Sequence, residues 1–352
     1  MGKPTIQYFD TLRAWATLGV IIIHVATPAL KMNFGKNDEF WWIANIIDSA
    51  VRGIVPIFLM LTGATMLGRQ YNNIGDFYKK RLQRVFVPFL FWMVLYWVYF
   101  WIKLPAKKQP HEFIPILEWA YNLFTKTGIS KHFWYFYMIL VLYLFVPYLA
   151  KLVQKASRNS LLYFIIIWAI FCYLTRGVSM NLYGWSFEAF PGKLLGWFVH
   201  AGYLVVGYYL ATLPESNLKF RWSAAGVFVL SVISCASFTW YFTRQTGKLD
   251  LSMYGYVKPN TIIQAIALFL MIKDSQISNR AYLWVQNQVC TNSYGIYLAH
   301  VIALNVLFDN GYYWKITYPA ISIPLVSLTA LIICYLFVFL LRKVPGGKYV
   351  AG

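Results

Sequence analysis

Charged side chains are scarce in this sequence, and acidic ones are the scarcest. Of the 352 residues, 12% are Asp, Glu, Lys or Arg, and only 12 residues are Asp or Glu. Soluble domains carry about 25% charged residues, so this composition excludes an ordinary soluble globular protein. Because 59% of the residues are hydrophobic and 20% are aromatic, the composition indicates a polytopic membrane protein.

Cysteine is rare, and the common catalytic motifs are missing. The four cysteines, Cys172, Cys235, Cys290 and Cys334, stand singly in apolar runs, a pattern that indicates neither a disulfide framework nor a metal site. The sequence contains no G-x-S-x-G, Walker or H-E-x-x-H motif and no glycine-rich dinucleotide turn. We therefore expect no metal, and no ordinary serine hydrolase, ATPase or zinc protease chemistry.

Long apolar runs make up most of the chain. A membrane span needs about 20 mostly apolar residues, and this rule predicts an all-α, polytopic transmembrane helix bundle of about ten spans. No signal-peptide cleavage site accompanies the first run, so we expect it to be retained. Two amphipathic pieces, 39–52 and 112–126, are expected to be interfacial or re-entrant. We expect residues 1–352 to form a single transmembrane domain with no appended soluble domain. The ten predicted spans are 11–31, 53–68, 86–104, 132–153, 160–178, 193–213, 221–243, 258–273, 290–308 and 319–341.

The charge balance is strongly basic, with a formal net charge of +19. In a membrane protein such a balance favours the lipid bilayer's anionic headgroups and phosphate-bearing substrates as partners, and we expect no nucleic acid. The connection GRQYNNIGDFYKKRLQR is the most basic short segment. The positive-inside rule places it in the cytoplasm, and so predicts that the N-terminus and the C-terminus are both cytoplasmic.

The first span carries three ionisable side chains, Asp10, Arg13 and His24. On an α-helix, Arg13 and His24 would face the same side, roughly 16 Å apart along the axis, and Asp10 would pair with Arg13. Ionisable groups at membrane depth are costly and normally face protein or water. The spacing predicts a polar stripe from the cytoplasmic interface to the bilayer centre. The alternative is that Asp10 and Arg13 anchor the helix end and that His24 is a neutral hydrogen-bonding residue.

Together these residues resemble a known signature. The pattern D-x-x-R, then ten residues and a His on the first span, is similar to that of acyltransferase family 3, the integral-membrane O-acyltransferases. The segments SAVRGIVPIFLMLTGATMLGR, KKRLQRVFVPFLFW, HFWYFYMILVLYLFVPYL and NSYGIYLAH continue the likeness in order. It covers nearly the whole chain, and it is strongest to members that acetylate bacterial surface polysaccharide.

The resemblance implies a specific activity. A member of this family would move an acetyl group from cytoplasmic acetyl-CoA, the co-substrate, to a hydroxyl of a cell-envelope polysaccharide or lipid-linked glycan, in the bacterial inner membrane. His24, with Arg13 and Asp10, would act as general base or carry the acyl group transiently. The rival functions are a transporter or flippase for a lipid-linked glycan and a scaffold without chemistry. Transporters often contain inverted repeats, and we find no repeat in this sequence.

The basic residues Lys80, Arg81 and Arg84 precede the third span. Paired guanidinium groups bind phosphates through bidentate contacts. With Arg13 on the same side, these three residues are predicted to bind the phosphates of acetyl-CoA. The competing interpretation is that they only anchor the span by the positive-inside rule.

The segment SYGIYLAH places His300 about 15 Å into its span, at the level of His24. The two imidazoles would flank a reaction centre, one as base and one orienting a substrate, or His300 simply packs in the core. Tyr294 and Tyr297, one turn apart on the same helix, are predicted to contribute hydroxyls.

The external end of the fourth span begins with His132 and Trp134. Sugar rings stack on aromatic faces, so the family likeness makes both residues acceptor-site candidates; the alternative is an interfacial aromatic belt. Arg52, four residues after Asp48, is a further candidate for acceptor binding. Its alternative is a surface salt bridge.

Overall fold

The computed structural model describes residues 6–103, 130–177 and 196–352, and within these ranges the chain is helical and has no β-strand. The all-α prediction is therefore confirmed. The predicted piece 112–126 lies outside the described residues, as do the ends of the spans predicted at 160–178 and 193–213. The helices are α1 Gln7–Asn33, α2 Asp38–Ala50, α3 Ile54–Met66, α4 Ile74–Arg81, α5 Val87–Lys103, α6 Trp134–Lys155, α7 Arg158–Gly177, α8 Ala201–Ala211, α9 Leu218–Thr246, α10 Pro259–Ile272, α11 Arg280–Asp309 and α12 Pro319–Lys343.

Asparagine begins four of these helices. The side-chain oxygens of Asn37, Asn73, Asn217 and Asn279 each accept a hydrogen bond from the backbone N–H three residues later. Such an N-cap satisfies one of the N–H groups that the first helical turn leaves without a partner. These polar caps set the start of α2, α4, α9 and α11.

Within the described residues, seven helical stretches are long and apolar enough to cross a membrane: Gln7–Asn33, Asp38–Met66, Ile74–Lys103, Trp134–Lys155, Leu218–Thr246, Ser252–Ile272 and Pro319–Lys343. The spans predicted at 160–178 and 193–213 correspond to shorter apolar helices, α7 and α8. The span predicted at 290–308 lies within the 30-residue helix α11, which begins ten residues earlier at Arg280. Polar residues such as Asn292 and His300 lie along that helix, and both are buried inside the protein. The chain is thus a multi-pass helical membrane protein.

Helix α1 lies between two clusters of buried side chains. One cluster joins α1 to α3, α6, α8 and α10, and the other joins it to α5, α11 and α12. Tyr297 packs against both clusters. Between apolar helices in lipid, van der Waals contact and buried hydrogen bonds hold the bundle together, because lipid tails are as apolar as the side chains. A polar site at the boundary of the two clusters is therefore enclosed by protein.

Helices α3 and α8 cross with their backbones in direct contact. A Cβ atom on Gly63 would lie 1.9 Å from the carbonyl oxygen of Leu204, and one on Gly207 would lie 1.9 Å from that of Met60. No other residue type fits such a crossing without moving a helix. This contact fixes α3, which carries one wall of the site described below.

Helix α2, within the predicted amphipathic piece 39–52, turns back into the bundle. It packs against α1 and α9, and Trp41, Asn45 and Asp48 are buried. This piece therefore packs inside the bundle, and with α3 it forms the apolar stretch Asp38–Met66, which is long enough to cross a membrane.

Candidate active site

Three histidines from distant parts of the chain meet beside one pocket. His24 lies on α1, His132 in the short turn Lys131–Phe133 that precedes α6, and His300 on α11. The ring centroid of His300 lies 4.9 Å from those of both His24 and His132, and the centroids of His24 and His132 are 6.4 Å apart. The structure thus brings together His24 and His300, as the spacing predicted, and adds His132, which was predicted only as an acceptor-site aromatic.

In two of these histidines, the Nδ1 atom lies within hydrogen-bond distance of a neighbouring oxygen atom. Nδ1 of His300 lies 2.5 Å from the backbone oxygen of Tyr297, and Nδ1 of His132 lies 2.7 Å from the hydroxyl of Ser130. Both imidazoles are buried, with 0% and 4% exposure. The Nε2 atoms of His132 and His300 have no hydrogen-bond partner among the described residues. Buried polar atoms normally have a hydrogen-bond partner, so the two Nε2 atoms without one indicate where a substrate atom or a transferred proton can bind.

The pocket beside the histidines is narrow, with a cavity volume of about 30 Å³, which is room for about two water molecules. Trp134 and Tyr256 form one wall as stacked rings, 5.3 Å between centroids and 14° between planes. The hydroxyl of Tyr297 donates a hydrogen bond to the backbone oxygen of His132, 2.5 Å away. The lining residues are Val20, Ile23, His24, Val55, Phe58, His132, Trp134, Tyr135, Tyr256 and Tyr297.

Two guanidinium groups lie near one tyrosine, closer to the start of α1. Arg13 pairs with Asp10, 3.7 Å between charged atoms, as the i,i+3 spacing predicted. The guanidinium of Arg81 lies 5.6 Å from the ring centre of Tyr143, and both Arg81 and Arg13 are close enough to the hydroxyl of Tyr143 for a charge interaction. The Nε atom of Arg81 is buried and unpaired within the described part of the chain.

A π-helical segment, Leu82–Phe86, follows Arg81 and carries Arg84. Lys80 and Arg84 are both exposed. The hydroxyl of Tyr294 donates a 2.7 Å hydrogen bond to the backbone oxygen of Val85 in this segment. Tyr294, predicted as a site hydroxyl, therefore ties α11 to the segment that carries the basic residues. Single π turns occur often at functional sites, where they redirect side chains.

Tyrosines lie between the arginines and the histidines. Tyr135 and Tyr143 are on α6, within electrostatic range of each other, and the ring of Tyr135 lies 5.7 Å from that of Tyr297. The sequence did not predict a site role for Ser130, Tyr135, Tyr143 or Tyr256. With 27 tyrosines in the chain, no local pattern distinguishes the few that line a pocket.

The Arg52–Asp48 ion pair is present, but it is not a surface salt bridge. The side chains of Arg52 and Asp48 are 8% and 0% exposed. Thr27 on α1 donates a 2.7 Å hydrogen bond to Asp48 and accepts one of 2.9 Å from Arg52. Arg52 also stacks 4.0 Å from the ring centre of Tyr254 and is close enough to the hydroxyl of Tyr256 for a charge interaction. The surface alternative was wrong because α2 folds back into the bundle, and Arg52 instead supports the aromatic wall of the pocket.

No group of three or more His, Cys, Asp or Glu side chains in the described ranges could hold a metal ion. The three histidines offer proton-handling and hydrogen-bonding chemistry through their ring nitrogens. They can accept and donate protons, and the two arginines are positioned to bind anionic groups.

Comparison with known proteins gives one match. Searches of curated proteins and of solved structures find no match for the chain. A family model described as an acyltransferase domain matches residues 6–343, nearly the whole chain. The helical bundle and the match over this length lead to one assignment: the chain belongs to acyltransferase family 3.

Proposed function

We propose that this acyltransferase moves an acetyl group from cytoplasmic acetyl-CoA to a hydroxyl of a cell-envelope polysaccharide or lipid-linked glycan. The single observation that carries the proposal is that His24 and His132 line one pocket inside a membrane bundle, with His300 packed against both of them. Imidazole is the side chain whose ordinary pKa lies nearest neutrality, so it suits the removal of a proton from a sugar hydroxyl.

The donor end of the site is supported by the arginines. Acetyl-CoA carries several phosphates, and Arg13 and Arg81 both lie within electrostatic range of the Tyr143 hydroxyl. The exposed Lys80 and Arg84 extend the positive charge outward. In the proposed complex these four side chains bind the phosphates, and the pantetheine arm extends past Tyr143 and Tyr135 towards His24.

The acetyl group can pass through the pocket by two routes. In the first, His24 takes the proton of the sugar hydroxyl while the oxygen attacks the thioester carbon. In the second, His24 itself accepts the acetyl group and then hands it to the hydroxyl. In both routes the C–S bond breaks, CoA leaves as a thiol and the sugar hydroxyl becomes an ester.

The acceptor end is assigned to the stacked wall of Trp134 and Tyr256, which the Arg52–Asp48 pair supports. Aromatic faces present an apolar surface that matches the C–H face of a sugar ring, and the tyrosine hydroxyl adds a polar edge. The membrane is proposed to be the bacterial inner membrane, with Arg13 on the cytoplasmic side and both termini cytoplasmic.

The proposed function is tested by mass spectrometry of envelope polysaccharide from cells with the gene, without it, and with a His24→Ala copy. The expected result is glycan heavier by one acetyl group per modified site, only in cells with the unaltered gene. Glycan of unchanged mass, present in equal amount at the surface in all three strains, contradicts the proposal. Loss of surface glycan itself, without any change in its mass, would instead indicate a transporter or flippase.

A further inference from the structure

The pocket beside the histidines is small, and its lining is of two kinds. Its cavity volume of about 30 Å³ is room for about two water molecules. Val20 on α1 and Val55 and Phe58 on α3 line it with apolar side chains. His24 and His132 line it with imidazoles. A ligand that fills this space is therefore small and has both an apolar part and a polar part.

An acetyl group has these two parts. It consists of a methyl group, which is about as large as a water molecule, and a carbonyl group whose oxygen accepts hydrogen bonds. Nε2 of His132 is buried and has no hydrogen-bond partner within the described ranges. When the Ser130 hydroxyl donates to Nδ1 of His132, 2.7 Å away, a neutral His132 carries its proton on Nε2 and can donate it to such an oxygen. The pocket thus matches a two-carbon acyl group in size and in chemistry.

The two helices that form the apolar wall are packed closely. A Cβ atom on Gly19 of α1 would lie 2.7 Å from Cγ1 of Ile54, so a residue larger than glycine would push Ile54 away. Val20 and Val55 directly follow these two residues in the sequence. On another side, α3 is in backbone contact with α8 at Gly63. Because α3 is packed against both α1 and α8, the pocket cannot widen without displacing a helix.

We propose that Val20, Val55 and Phe58 are specificity-determining residues that limit the transferred acyl group to two carbons. The inference rests on the proposed function, and it deepens that function by naming what sets the length of the acyl chain. The methyl group of the acetyl donor packs against these three side chains. Each further methylene has to enter space that the wall already fills, and such overpacking is costly.

The ring of the acceptor sugar is too large for the same space. In the proposed complex the ring therefore stays outside the pocket, and only the reacting hydroxyl reaches the acyl carbon. The three apolar residues then discriminate between acyl donors without selecting the sugar. Changes at these residues are expected to alter which donor is used and to leave the choice of glycan unchanged.

The inference is tested by comparing acetyl-CoA, propionyl-CoA and butyryl-CoA, each with a radiolabelled acyl group, as donors to glycan in membranes that contain the full chain. One methylene in an apolar pocket changes kcat/KM by roughly 10–200-fold. The unaltered enzyme is therefore expected to prefer acetyl-CoA to propionyl-CoA by about tenfold or more, and to use butyryl-CoA less still. Equal kcat/KM for the three donors overturns the inference and leaves acyl transfer itself standing.

Val55→Ala and Phe58→Leu enlarge the pocket from the side of α3. Each variant is expected to raise propionyl transfer relative to acetyl transfer by about tenfold, because the wall no longer fills the space that the extra methylene needs. This gain separates a specificity role from a structural one, since a misfolded protein only loses activity. A ratio of propionyl to acetyl transfer that is unchanged in both variants overturns the inference.

The matched control is Val153→Ala. Val153 on α6 is buried in the same cluster as Val55, but it is not among the residues that line the pocket. This variant is expected to keep the donor preference of the unaltered enzyme. A shift as large as that of Val55→Ala would show that general loosening of the bundle is the cause, and would overturn the inference. If none of the three donors labels the glycan, the proposed function is wrong and the inference falls with it.

Discussion

At the scale of single residues, the function of each site side chain does not follow from its residue type alone. A single histidine in a membrane helix often packs or forms one hydrogen bond, and a lone arginine near a helix end often anchors it. The pairing of Asp10 with Arg13 followed from the sequence, because three residues on one helix are local neighbours. The arrival of His132 beside His24 did not, because that contact joins segments 108 residues apart and only the packed bundle creates it.

Arg81 and Arg84 provide a test of the donor end at this scale. Arg81→Ala and Arg84→Ala are each expected to weaken acetyl-CoA binding, because a charge-assisted hydrogen bond contributes about 1.5–3 kcal/mol. This loss of acetyl-CoA affinity should become smaller as the salt concentration rises, and the change should be largest for Arg84→Ala, because Arg84 is exposed. The measurement is isothermal titration of acetyl-CoA into detergent-solubilised protein at two salt concentrations.

The control for these two variants is Arg244→Ala, which removes an exposed arginine at the far end of α9. It is expected to leave acetyl-CoA affinity unchanged. Affinity that is equal in all three variants and in the unaltered protein would mean that Arg81 and Arg84 only anchor the third predicted span.

At the scale of helices, the sequence predicted where the long apolar helices lie. It did not predict where a helix departs from regular α-helical geometry. Hydropathy located the apolar helices because a span needs about 20 apolar residues whatever its neighbours. The π-helical segment Leu82–Phe86 has no such signal, and neither has the hydrogen bond that the Tyr294 hydroxyl of another helix donates to Val85 in this segment. The burial of Asp48 with Arg52 depends likewise on where α2 packs.

Tyr294→Phe tests the tie between α11 and the π-helical segment. Loss of this hydrogen bond is expected to cost about 1 kcal/mol of stability. It should also weaken acetyl-CoA binding, because the segment that carries Arg84 is no longer held. The control is Tyr335→Phe, which removes a 3.0 Å bond to Gln288 between α12 and α11. Equal acetyl-CoA affinities in both variants would show that Tyr294 has a structural role alone.

Asp48→Asn tests the buried ion pair. The variant leaves the charge of Arg52 buried without its counter-charge, and removal of one partner of such a pair costs about 3–5 kcal/mol. Asp48→Asn combined with Arg52→Gln is expected to recover most of that loss, because no buried charge remains. The stability of the single and the double variant is measured by unfolding in SDS, with circular dichroism as the signal. A single variant as stable as the unaltered protein would show that Arg52 reaches water.

At the scale of the whole molecule, the bundle encloses a polar centre with different chemistry at its two ends. Arg13 and Arg81 lie towards the start of α1, and the histidines lie about 16 Å further along its axis. The buried Arg52 and the stacked Trp134 and Tyr256 lie beside the histidines. The proposed membrane orientation predicts that acetyl-CoA is used from the side of Arg13, and that the sugar is reached from the other end.

Acyl transfer through the histidine pocket is tested most directly in inside-out membrane vesicles that hold glycan and are given radiolabelled acetyl-CoA. The unaltered protein is expected to label the glycan, and an equal amount of folded His24→Ala protein is expected to leave it unlabelled. Right-side-out vesicles, which keep the cytoplasmic face away from the added acetyl-CoA, should also remain unlabelled. Labelling by His24→Ala at the rate of the unaltered protein would contradict a reaction at this pocket.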